Sequence, residues 1–535
     1  MTSHAQQSTI AAEPSMIFRS PHPDVSVPHL SLTEFVLGGA AARGDHPALV
    51  DGVSGRVLSF SDLCEQVRRV AAGLSRRIGK GDVVALWSPN TPEYAVVFHA
   101  VATLGAILTT VNAAYTVPEL AFQLQDSHAR LLITTAALVE RACAAVATVS
   151  RPIEIVTIDE APGVASLASI AVDEDPPPVV IDPATDVVVL PYSSGTTGLP
   201  KGVMLTHRNL VANLVQIDAI ETQEIHALLG VLPFFHIYGM VVILNFGLMR
   251  GATIVTLPRF ELEAFLGVLQ QWPIALVHVA PPVVVALAKH PLVDRYNLSG
   301  VKWLFSAAAP LGVELTSAVE ARLPLRVRQG YGMTEASPAT HYSTPGLQRP
   351  GKVGPLVPST EGRIVDPETL LDAGVGRRGE IWVRGPQVMK GYLNNPEATL
   401  HTVDADGWLR TGDIGVVDED GYLEVVDRLK ELIKVKGYQV APAELEALLL
   451  KHPKIADAAV IPVRDDECGE RPKAIIVARE PLTAEEVTAF VDAHVAHYKR
   501  IAQVAFVDSI PKSPSGKILR RVLVERNRAS DKVPT

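Results

Sequence analysis

The chain has 535 residues, of which 47% are hydrophobic and 20% are charged. This length predicts about three or four compact units, and the composition excludes the disordered and collagen-like classes of protein. The net charge of −10 disfavours nucleic acid and acidic membranes as partners, so an anionic ligand must be met by locally concentrated cations or backbone N–H groups.

The three cysteines, Cys64, Cys143 and Cys468, lie far apart and form no CxxC pair. This spacing argues against a disulfide framework and a zinc cluster, and it favours a reducing compartment. The N-terminus lacks the basic start and apolar stretch of a signal peptide, so we expect a cytoplasmic protein. The uncharged stretch 94–111 is nearly long enough to span a membrane, but small residues dominate it. We therefore expect a buried helix followed by a buried strand, and no integral membrane segment.

The apolar pattern changes several times along the chain. Residues 1–28 are polar and interrupted by proline, which is typical of a loosely attached tail. From there to about residue 170, helical patterns alternate with short apolar runs, which indicates a largely parallel sheet flanked by helices. Pro176, Pro177 and Pro178 exclude both helix and central strand, and they mark a linker before further β–α alternation.

The last part of the sequence predicts two smaller units. Between residues 350 and 427, short strands separated by turns indicate a β-rich subdomain. The unit 428–535 mixes strand and helix patterns, with Thr483 and Glu486 forming a capping box before one helix. The fold class is therefore α/β: a large N-terminal body of mixed βα layers over residues 29–427, which includes the β-rich subdomain, and a smaller α+β C-terminal domain.

The segment 186–210 carries the strongest functional signal. An apolar strand pattern leads into the loop YSSGTTGLPKGV, and Thr206 is placed to cap the helix that follows. Hydroxyls and glycine N–H groups in such a loop can surround oxyanions, and Lys201 adds a positive charge. The spacing differs from a Walker A loop, because Pro200 and Lys201 stand where that motif needs Gly-Lys after Gly195. We therefore predict a phosphate site of another class.

This loop resembles the phosphate-binding signature of the acyl-adenylating enzymes, which include acyl-CoA synthetases, 4-coumarate–CoA ligases, peptide-synthetase adenylation domains and firefly luciferase. The resemblance extends over about residues 17–526 and is closest to the 4-coumarate–CoA ligases. It is carried by the segments VLPFFHIYG, SAAAPLG, QGYGMTE, VMKGYLNNPEAT, DGWLRTGD, DRLKELIKVKGYQVAPAELEALL and IPKSPSGKILR.

The resemblance implies a two-step reaction that uses ATP, Mg²⁺ and CoA. A carboxylate attacks the α-phosphate of ATP to give acyl-AMP and pyrophosphate, and the CoA thiol then attacks the acyl carbon while AMP leaves. The first step brings two anions together, so it needs charge neutralisation and positioning rather than a covalent nucleophile. The absence of a GxSxG elbow from the sequence agrees with such a mechanism.

By the same resemblance, the nucleotide is held by residues from three segments. Thr334 contacts the α-phosphate, and Glu335 ligates Mg²⁺, a hard cation that prefers oxygen ligands. Asp413 accepts hydrogen bonds from the ribose hydroxyls, with the help of Arg428. The residues implied to hold the β- and γ-phosphates and pyrophosphate are Ser193, Ser194, Gly195, Thr196, Thr197 and Lys201. The residues implied to form the adenine-side wall are Gln329, Gly330, Tyr331 and Gly332.

The resemblance also implies that the C-terminal domain is mobile and turns about a hinge at Lys430, so that each step uses a different face. Lys517, on the loop before the last helix, bridges the carboxylate and the α-phosphate during adenylation. Lys434 and Gln439 serve that site or the thioester step. The implied CoA contacts are Lys436, Gly437 and Arg259.

The acyl pocket is expected around the segment PFFHIYG, with His236 as its gate on the aromatic side. This segment has no carboxylate to pair with a substrate ammonium group, which disfavours amino acids as substrates. Val242, Phe305 and Ala307 are more apolar than the Ser, Lys and Gly that plant 4-coumarate–CoA ligases often carry there. An unpaired buried hydroxyl costs about 1–3 kcal/mol, so an unsubstituted cinnamate or a medium-chain fatty acid fits better than a hydroxycinnamate. The other predicted pocket residues are Tyr238, Ala308, Ala309, Gly332, Ser337, Pro338 and Ala339.

The sequence therefore favours an ATP-dependent carboxylate–CoA ligase, with a small carboxylic acid, ATP and CoA as substrates. The alternatives within the family are a medium- or long-chain fatty acyl-CoA synthetase, a luciferase-like oxygenase and a carrier-protein-loading adenylase. From another class, a non-catalytic nucleotide-binding module is disfavoured because Lys517, Glu335 and Asp413 are all present. A P-loop ATPase fits poorly because the loop departs from Walker A. The identity of the acid and the oligomeric state stay open.

Overall fold

The computed structural model describes residues 16–193, 200–435, 438–465, 468–514 and 516–530. Strands and helices alternate over the first part of the chain. Its elements are β1 (Phe18–Arg19), α1 (Leu32–Leu37), β2 (Pro47–Asp51), β3 (Val57–Ser59), α2 (Phe60–Leu74), β4 (Val83–Trp87), α3 (Pro92–Thr103), β5 (Ile107–Thr110), α4 (Val117–Asp126), β6 (Ala129–Thr134), α5 (Val139–Val146), β7 (Glu154–Thr157), β8 (Ala165–Ser166), α6 (Leu167–Ile170) and β9 (Val187–Val189).

The middle of the chain continues this alternation and contains a π-helix at Tyr238–Asn245. The other elements are β10 (Tyr192–Ser193), β11 (Lys201–Thr206), α7 (His207–Asp218), β12 (Ala227–Gly230), α8 (Phe246–Arg250), β13 (Thr253–Thr256), α9 (Leu262–Gln271), β14 (Leu276–Val279), α10 (Pro281–Lys289), β15 (Trp303–Ser306), α11 (Val313–Arg322), β16 (Arg326–Gly332) and β17 (Ala339–Tyr342).

The rest of the described chain is richer in strands. Its elements are β18 (Glu361–Val365), β19 (Gly379–Arg384), β20 (Gly391–Tyr392), α12 (Pro396–Thr402), β21 (Leu409–Val417), β22 (Leu423–Arg428), β23 (Ile433–Val435), β24 (Tyr438–Val440), α13 (Pro442–Leu449), β25 (Ile455–Asp465), β26 (Gly469–Ala478), α14 (Ala484–Asp492), β27 (Gln503–Phe506) and α15 (Arg520–Ser530). Single turns of 3₁₀-helix occur at Ala40–Arg43, Ala136–Leu138, Pro291–Arg295, Thr334–Ala336 and His497–Lys499.

The largest sheet has the strand order β10-β11-β9-β5-β4-β6-β7-β8, and β20 pairs with β11. Strands β5, β4, β6 and β7 are parallel, because helices α3, α4 and α5 carry the chain back between them. The expected buried helix and strand within 94–111 are confirmed as α3 and β5, and nearly every residue of α3 is buried. Pro176 to Pro178 lie in a connection without helix or strand, as predicted. Within the described residues, no helix combines the length and the apolar character needed to cross a membrane.

Two smaller sheets complete the α/β layers of the body. Their strand orders are β12-β13-β2-β3 and β14-β15-β16-β17. In the second of these, β14, β15 and β16 are parallel, and their register places His278, Phe305 and Arg328 side by side. Side chains at paired positions of neighbouring strands point to the same face of a sheet, so these three residues share one face.

The β-rich subdomain is confirmed as an antiparallel sheet with the order β1-β18-β19-β21-β22. Residues 16–28, expected to belong to a loose tail, are attached to it. Phe18 and Arg19 pair with β18, and Ser20 Oγ donates a hydrogen bond to the carbonyl oxygen of Leu356 over 2.9 Å. The backbone pairing holds this segment because β18 would otherwise present an unpaired edge.

The α+β C-terminal domain has its own sheet and its own core. The sheet order is β24-β23-β26-β25, with β27 parallel to β26. Helices α13 and α14 bury Leu445 and Val487 against this sheet. The predicted capping box at the start of α14 is confirmed, with the hydroxyl of Thr483 accepting from the N–H of Glu486.

Candidate active site

A buried carboxylate marks the place where the β10–β11 hairpin meets the segment that follows β16. Glu335 Oε1 accepts hydrogen bonds from Ser193 Oγ and from Tyr392 OH, each over 2.8 Å. Ser193 and Lys201 lie opposite each other in the β10–β11 hairpin, and Tyr392 lies on β20, which pairs with β11. The ammonium group of Lys201 is 5.0 Å from the centre of the Tyr392 ring. The predicted phosphate ligands Ser194, Gly195, Thr196 and Thr197 lie outside the described residues.

A second buried carboxylate, Asp413, binds two residues from other strands. Its Oδ2 atom accepts a hydrogen bond from Tyr331 OH over 2.7 Å, and its Oδ1 atom lies 3.0 Å from Arg428 Nε. The pairing of β21 with β22 places Asp413 and Arg428 opposite each other. Burial and the charge of Asp413 raise the pKa of Tyr331, so its hydroxyl stays a donor. The structure therefore brings into contact three residues from separate sequence motifs: Tyr331, Asp413 and Arg428.

The chain reverses immediately after β16, and this reversal requires Gly332. A Cβ atom at this position would lie 1.9 Å from the backbone oxygen of Pro338. The reversal is closed by a hydrogen bond of 3.0 Å from the N–H of Met333 to the same oxygen. Thr334 and Glu335 then begin a short 3₁₀ turn. Gly332 thus fixes the position of the two residues to which the sequence assigns phosphate and metal contacts.

We expect Gly332→Ala to lower the free energy of unfolding by about 1–3 kcal/mol, because the added Cβ meets backbone that cannot move aside like a flexible side chain. Acyl-AMP formation should fall with it, since Thr334 and Glu335 are displaced. Urea unfolding and pyrophosphate release measure the two effects. The control is Gly267→Ala in α9, where nothing lies within 4 Å of the added Cβ, and it should keep activity and gain stability. Wild-type stability and activity in Gly332→Ala would contradict the assignment.

The loop that carries Lys517 belongs to the C-terminal domain but rests on the body. Gly516 has φ +83°, and a Cβ atom there would lie 2.9 Å from Cδ of Pro282 at the start of α10. The backbone of the loop is closed on itself: the N–H of Lys517 donates to Ser513 Oγ over 3.1 Å, and the N–H of Ser513 donates to the Lys517 carbonyl over 2.7 Å. The glycine therefore allows the close approach of the two domains that brings Lys517 to the body.

The charges around Lys517 connect it with the other site residues. Burial and the neighbouring charge of Arg428 lower the pKa of the Lys517 amine to about 8, against the attraction of Glu431 and Asp413. Burial and the charge of Lys517 lower the pKa of His236 to about 4. Lys517 thus lies within electrostatic reach of both the Asp413–Arg428 pair and the expected gate of the acyl pocket.

Polar contacts hold the C-terminal domain against the body in this position. Asp427 Oδ2, at the end of β22, accepts a hydrogen bond of 2.9 Å from the N–H of Ala443 in the first turn of α13. At the end of the same helix, Lys451 Nζ lies 2.5 Å from Glu314 Oε1 on α11 of the body. Surface ion pairs of this kind contribute little stability, so they can be broken at small cost if the domain turns.

Several predicted residues lie on exposed surfaces instead. Lys434 and Gln439 face each other across the β23–β24 hairpin, and both are exposed. Within the described part of the chain, no hydrogen bond or ion pair joins either side chain to Asp413 or Lys517. Lys430 and Arg259 are also exposed, and Arg259 forms an ion pair with Glu261. The predicted CoA contacts Lys436 and Gly437 lie outside the described residues.

The predicted acyl pocket lies between the π-helix and the β14–β17 sheet. Tyr238 and Val242 come from the π-helix, a geometry often found at functional sites. Phe305 is buried, and its ring stacks on that of Tyr342 with 4.3 Å between the centres. A Cβ atom at Gly330 would lie 2.7 Å from the Phe305 ring. The glycine therefore makes room for the ring.

The remaining predicted pocket residues lie on the loops around these elements. His236 is half-buried and precedes the π-helix. Ala307, Ala308 and Ala309 follow β15, and Ala308 has φ +73°, a left-handed conformation that is uncommon for alanine. Gln329, an expected adenine contact, is buried in β16. Ser337, Pro338 and Ala339 are buried and lead into β17.

Polar residues that the sequence analysis missed surround the pocket. Arg328 and Glu221 are fully buried, with Nη1 and Oε2 2.9 Å apart, and Tyr342 OH donates to the same Oε2 over 2.8 Å. His278 is buried beside Tyr238. For His278 a signal was present in the sequence, because it interrupts the apolar strand pattern LVHV. Arg328 gave no such signal, since it alternates with Val327 as a residue on the exposed face of a strand would.

The structure thus combines a buried lysine of the C-terminal domain with two buried, hydrogen-bonded carboxylates of the body. A family model described as AMP-binding enzyme matches residues 38–393, and one described as AMP-binding enzyme C-terminal domain matches residues 444–517. The chain belongs to this family of adenylate-forming enzymes.

Curated relatives match over nearly the whole chain. The 4-coumarate–CoA ligase 5 of Oryza sativa subsp. japonica is 46% identical, with 95% of this chain and 96% of that protein covered. The 4-coumarate–CoA ligase 1 of Petroselinum crispum is 44% identical, with 98% and 99% covered. The protein is therefore an ATP-dependent carboxylate–CoA ligase, an acid–thiol ligase whose substrates are a carboxylic acid, ATP and CoA. These matches favour this activity over a fatty acyl-CoA synthetase and over a non-catalytic nucleotide-binding module.

The solved structure of ATP-bound MatB from Rhodopseudomonas palustris has a TM-score of 0.85 at 28% identity, covering 94% of this chain and 100% of that chain. For apo MatB from the same organism, the TM-score is 0.75 at the same identity and coverage. The arrangement of this chain is thus more similar to the ATP-bound structure than to the apo structure.

Proposed function

We propose that the enzyme activates an aryl-substituted propenoic acid: it forms the acyl-AMP with release of pyrophosphate and then transfers the acyl group to CoA with release of AMP. The observation that carries the choice of acid is the packing of Phe305 against Tyr342 and Gly330. In this proposal the two stacked rings limit the length of the acid, so a short flat acid fits better than a long alkyl chain. The curated relatives, which are named for 4-coumarate, support the same class of acid.

In this proposal, the body holds the nucleotide. Asp413 accepts hydrogen bonds from the ribose hydroxyls, a role that suits a buried carboxylate paired with Arg428 at 3.0 Å. Gln329, Gly330, Tyr331 and Gly332 form the adenine side, and Thr334 contacts the α-phosphate. Ser193, Lys201 and the intervening loop hold the β- and γ-phosphates, for which hydroxyls, backbone N–H groups and an ammonium group are suitable donors.

Glu335 would hold Mg²⁺. The donor set fits, because Mg²⁺ in such enzymes is bound by one or two carboxylates together with phosphate oxygens and water. Glu335 is buried, and Ser193 and Tyr392 fix its orientation through Oε1. Within the described residues, no cluster of three or more His, Cys, Asp and Glu side chains could hold a metal. Bound there, Mg²⁺ would neutralise phosphate charge.

Lys517 would act in the first step. The carboxylate of the acid and the α-phosphate repel each other, and a positive charge between them lowers the energy of their approach. Lys517 reaches this position from the C-terminal domain, and its charge acts on both His236 and the Asp413 region. The higher TM-score with the ATP-bound relative supports this arrangement as the one used for adenylation.

The thioester step would use another face of the C-terminal domain. Lys434 and Gln439 are exposed on the β23–β24 hairpin, and Lys436 and Gly437 lie between them in the sequence. Rotation near the exposed Lys430 would bring this hairpin to the acyl-AMP, with Arg259 on the body available for the CoA nucleotide. A charged hinge residue suits such a movement because water satisfies it in both positions.

The proposed function is tested by AMP and pyrophosphate release with ATP, Mg²⁺ and CoA over a panel of acids. The panel comprises cinnamate, 4-hydroxycinnamate and the straight-chain fatty acids from hexanoate to palmitate. We expect the cinnamates to give the higher kcat/KM, because the closed pocket admits an aromatic ring and excludes a long chain. Higher kcat/KM for the fatty acids would refute the choice of acid. Acyl-AMP formation without a CoA thioester would refute the second step.

A further inference from the structure

Tyr392 is a buried tyrosine on the short strand β20, which pairs with β11. Hydrogen bonds fix the backbone on both sides of it. The N–H of Lys390 donates to the carbonyl oxygen of Met204 over 3.0 Å, and the N–H of Leu393 donates to that of Gly202 over 2.8 Å. The strand pairing therefore sets the position of the Tyr392 ring, and the resemblance to known sequences assigned this residue no role.

The hydroxyl group of Tyr392 acts on one oxygen of the carboxylate of Glu335. It donates to Oε1 over 2.8 Å, and Ser193 Oγ donates to the same atom over 2.8 Å. Burial and the charge of Glu335 raise the pKa of Tyr392, so its hydroxyl keeps the proton that it donates. Two donors occupy the two lone pairs of Oε1, whereas no hydrogen bond reaches Oε2 from the described residues. Oε2 is therefore the oxygen left for a further ligand.

The ring of Tyr392 acts on a different group, the ammonium group of Lys201. Tyr392 lies opposite Val203 in the pairing of β20 with β11, and Lys201 is two residues before Val203 on the same strand. Side chains two residues apart on a strand share a face, and Lys201 Nζ lies 5.0 Å from the centre of the ring. A cation at this distance from an aromatic face is attracted to it. No hydrogen bond or ion pair joins Lys201 Nζ to another described residue.

We propose that Tyr392 is a positioning residue with two separable roles: its hydroxyl turns the carboxylate of Glu335 so that Oε2 is presented to the metal, and its ring holds the ammonium group of Lys201 in place for the phosphates of ATP. The inference rests on the proposed function, which takes Glu335 as the Mg²⁺ carboxylate and Lys201 as a phosphate ligand. One side chain then holds the anionic ligand of the metal and the cationic ligand of the phosphates in fixed positions. Hydrogen bonds from outside a metal site orient its ligands in this way.

The hydroxyl is tested with Tyr392→Phe, which removes it and keeps the ring. The affinity for Mn²⁺ is measured in the presence of a saturating non-hydrolysable ATP analogue, with free Mn²⁺ followed by electron paramagnetic resonance. The Kd for Mn²⁺ should rise by about 10- to 100-fold, the usual effect of losing an outer hydrogen bond to a metal ligand. The Kd of the analogue without metal, measured by calorimetry in EDTA, should stay at the wild-type value. A tyrosine with only a packing role would not separate the two constants.

The ring is tested with Tyr392→Leu, which removes both groups. This variant should show the same loss of Mn²⁺ affinity. In addition, the Kd of the metal-free analogue should rise by about 2- to 30-fold, the range expected for one cation–π contact.

Tyr422→Phe and Tyr422→Leu are the matched controls. Tyr422 is also buried, and the guanidinium group of Arg349 lies 3.8 Å from the centre of its ring. It precedes β22 and has no contact with Glu335 or Lys201 among the described residues. Both control variants should keep the wild-type Kd for Mn²⁺ and for the analogue.

Each role can be refuted by itself. Wild-type Mn²⁺ affinity in Tyr392→Phe would refute the role of the hydroxyl, and wild-type analogue affinity in Tyr392→Leu would refute the role of the ring. Crystals of the wild type with Mn²⁺ and the analogue test the inference even if neither variant folds. Anomalous scattering from Mn²⁺ at Oε2 of Glu335 would support it, and Mn²⁺ at Oε1 would refute it alone. Mn²⁺ bound away from Glu335 would also refute the Mg²⁺ assignment in the proposed function.

Discussion

Lys517→Ala should lower the rate of acyl-AMP formation by about 100- to 1,000-fold, the usual effect of removing one group that stabilises charge in the transition state. Conversion of supplied acyl-AMP to the CoA thioester should stay close to the wild-type rate. The reason is that Lys517 lies near His236 and Asp413 in the arrangement in which Gly516 packs against Pro282. Pyrophosphate release and thioester formation from synthetic acyl-AMP measure the two half-reactions separately.

Lys512→Ala is the control for this prediction. Lys512 lies five residues earlier in the same segment, and its ammonium group is 2.6 Å from Asp457 Oδ2 within the C-terminal domain. Its loss removes a lysine and an ion pair from the same region, so both half-reactions should stay near wild type. Equal loss of the two half-reactions in Lys517→Ala would show that Lys517 supports the fold of the domain rather than adenylation.

The rate of adenylation should depend on pH in the way that titration of the Lys517 amine predicts. Burial and the charge of Arg428 lower the pKa of Lys517 to about 8, so the amine is charged below this pH and loses its charge as the pH rises through it. In the wild type, kcat/KM for adenylation should therefore fall above pH 8, since this parameter reports the free enzyme. Lys517→Arg keeps its charge at these pH values, so the activity that it retains should lack this decline.

Asp413→Ala should lower kcat/KM for ATP by about 100-fold or more, because two charge-assisted hydrogen bonds to the ribose would be lost, each contributing roughly 1.5–3 kcal/mol. The effect has a second source in the protein itself. Tyr331 OH, 2.7 Å from Asp413, and Arg428 Nε, 3.0 Å from it, would both lose their partner, so the adenine side of the site would lose its order. Steady-state kinetics and calorimetric titration with a non-hydrolysable ATP analogue measure the loss.

Asp420→Ala provides the comparison on the same hairpin. Asp420 lies in the turn between β21 and β22, and its carboxylate is 2.9 Å from Arg349 Nη1. The ion pair between Asp420 and Arg349 is exposed and contributes little stability. Removing Asp420 should therefore leave ATP affinity unchanged. If Asp413→Ala bound the ATP analogue as tightly as this control, the carboxylate would have no part in holding the ribose.

The sequence could predict those features that depend on residues close together along the chain. The alternation of helix and strand patterns indicated the parallel sheet, because β4, α3 and β5 are each specified by their own apolar pattern. The hydroxyl-rich loop and Lys201 indicated a phosphate site through residue types that suit anions. The capping box of Thr483 needed only residues three positions apart. Local patterns of this kind are set by backbone geometry, which every sequence with the same pattern shares.

The polar surroundings of the acid pocket could not be predicted in this way. Val242, Phe305 and Ala307 suggested an apolar pocket, but a sequence does not show which residues of other strands lie beside them. The register of β14, β15 and β16 places His278 and Arg328 on either side of Phe305. Their separation along the chain hides this contact, and only strand pairing brings them together.

The sequence by itself determined the family and the two-domain α/β organisation, because short runs of residues specify each of them. It also predicted a phosphate site at the hydroxyl-rich loop. The tertiary structure alone decided which charges meet. It joined Asp413 to Tyr331 and Arg428, brought Lys517 from the second domain to the first, and left Lys434 and Gln439 exposed on another face. Among the described residues, it also left Nε2 of the buried His278 without a hydrogen-bond partner. These contacts depend on distances across the fold, which the packing of sheets and domains sets.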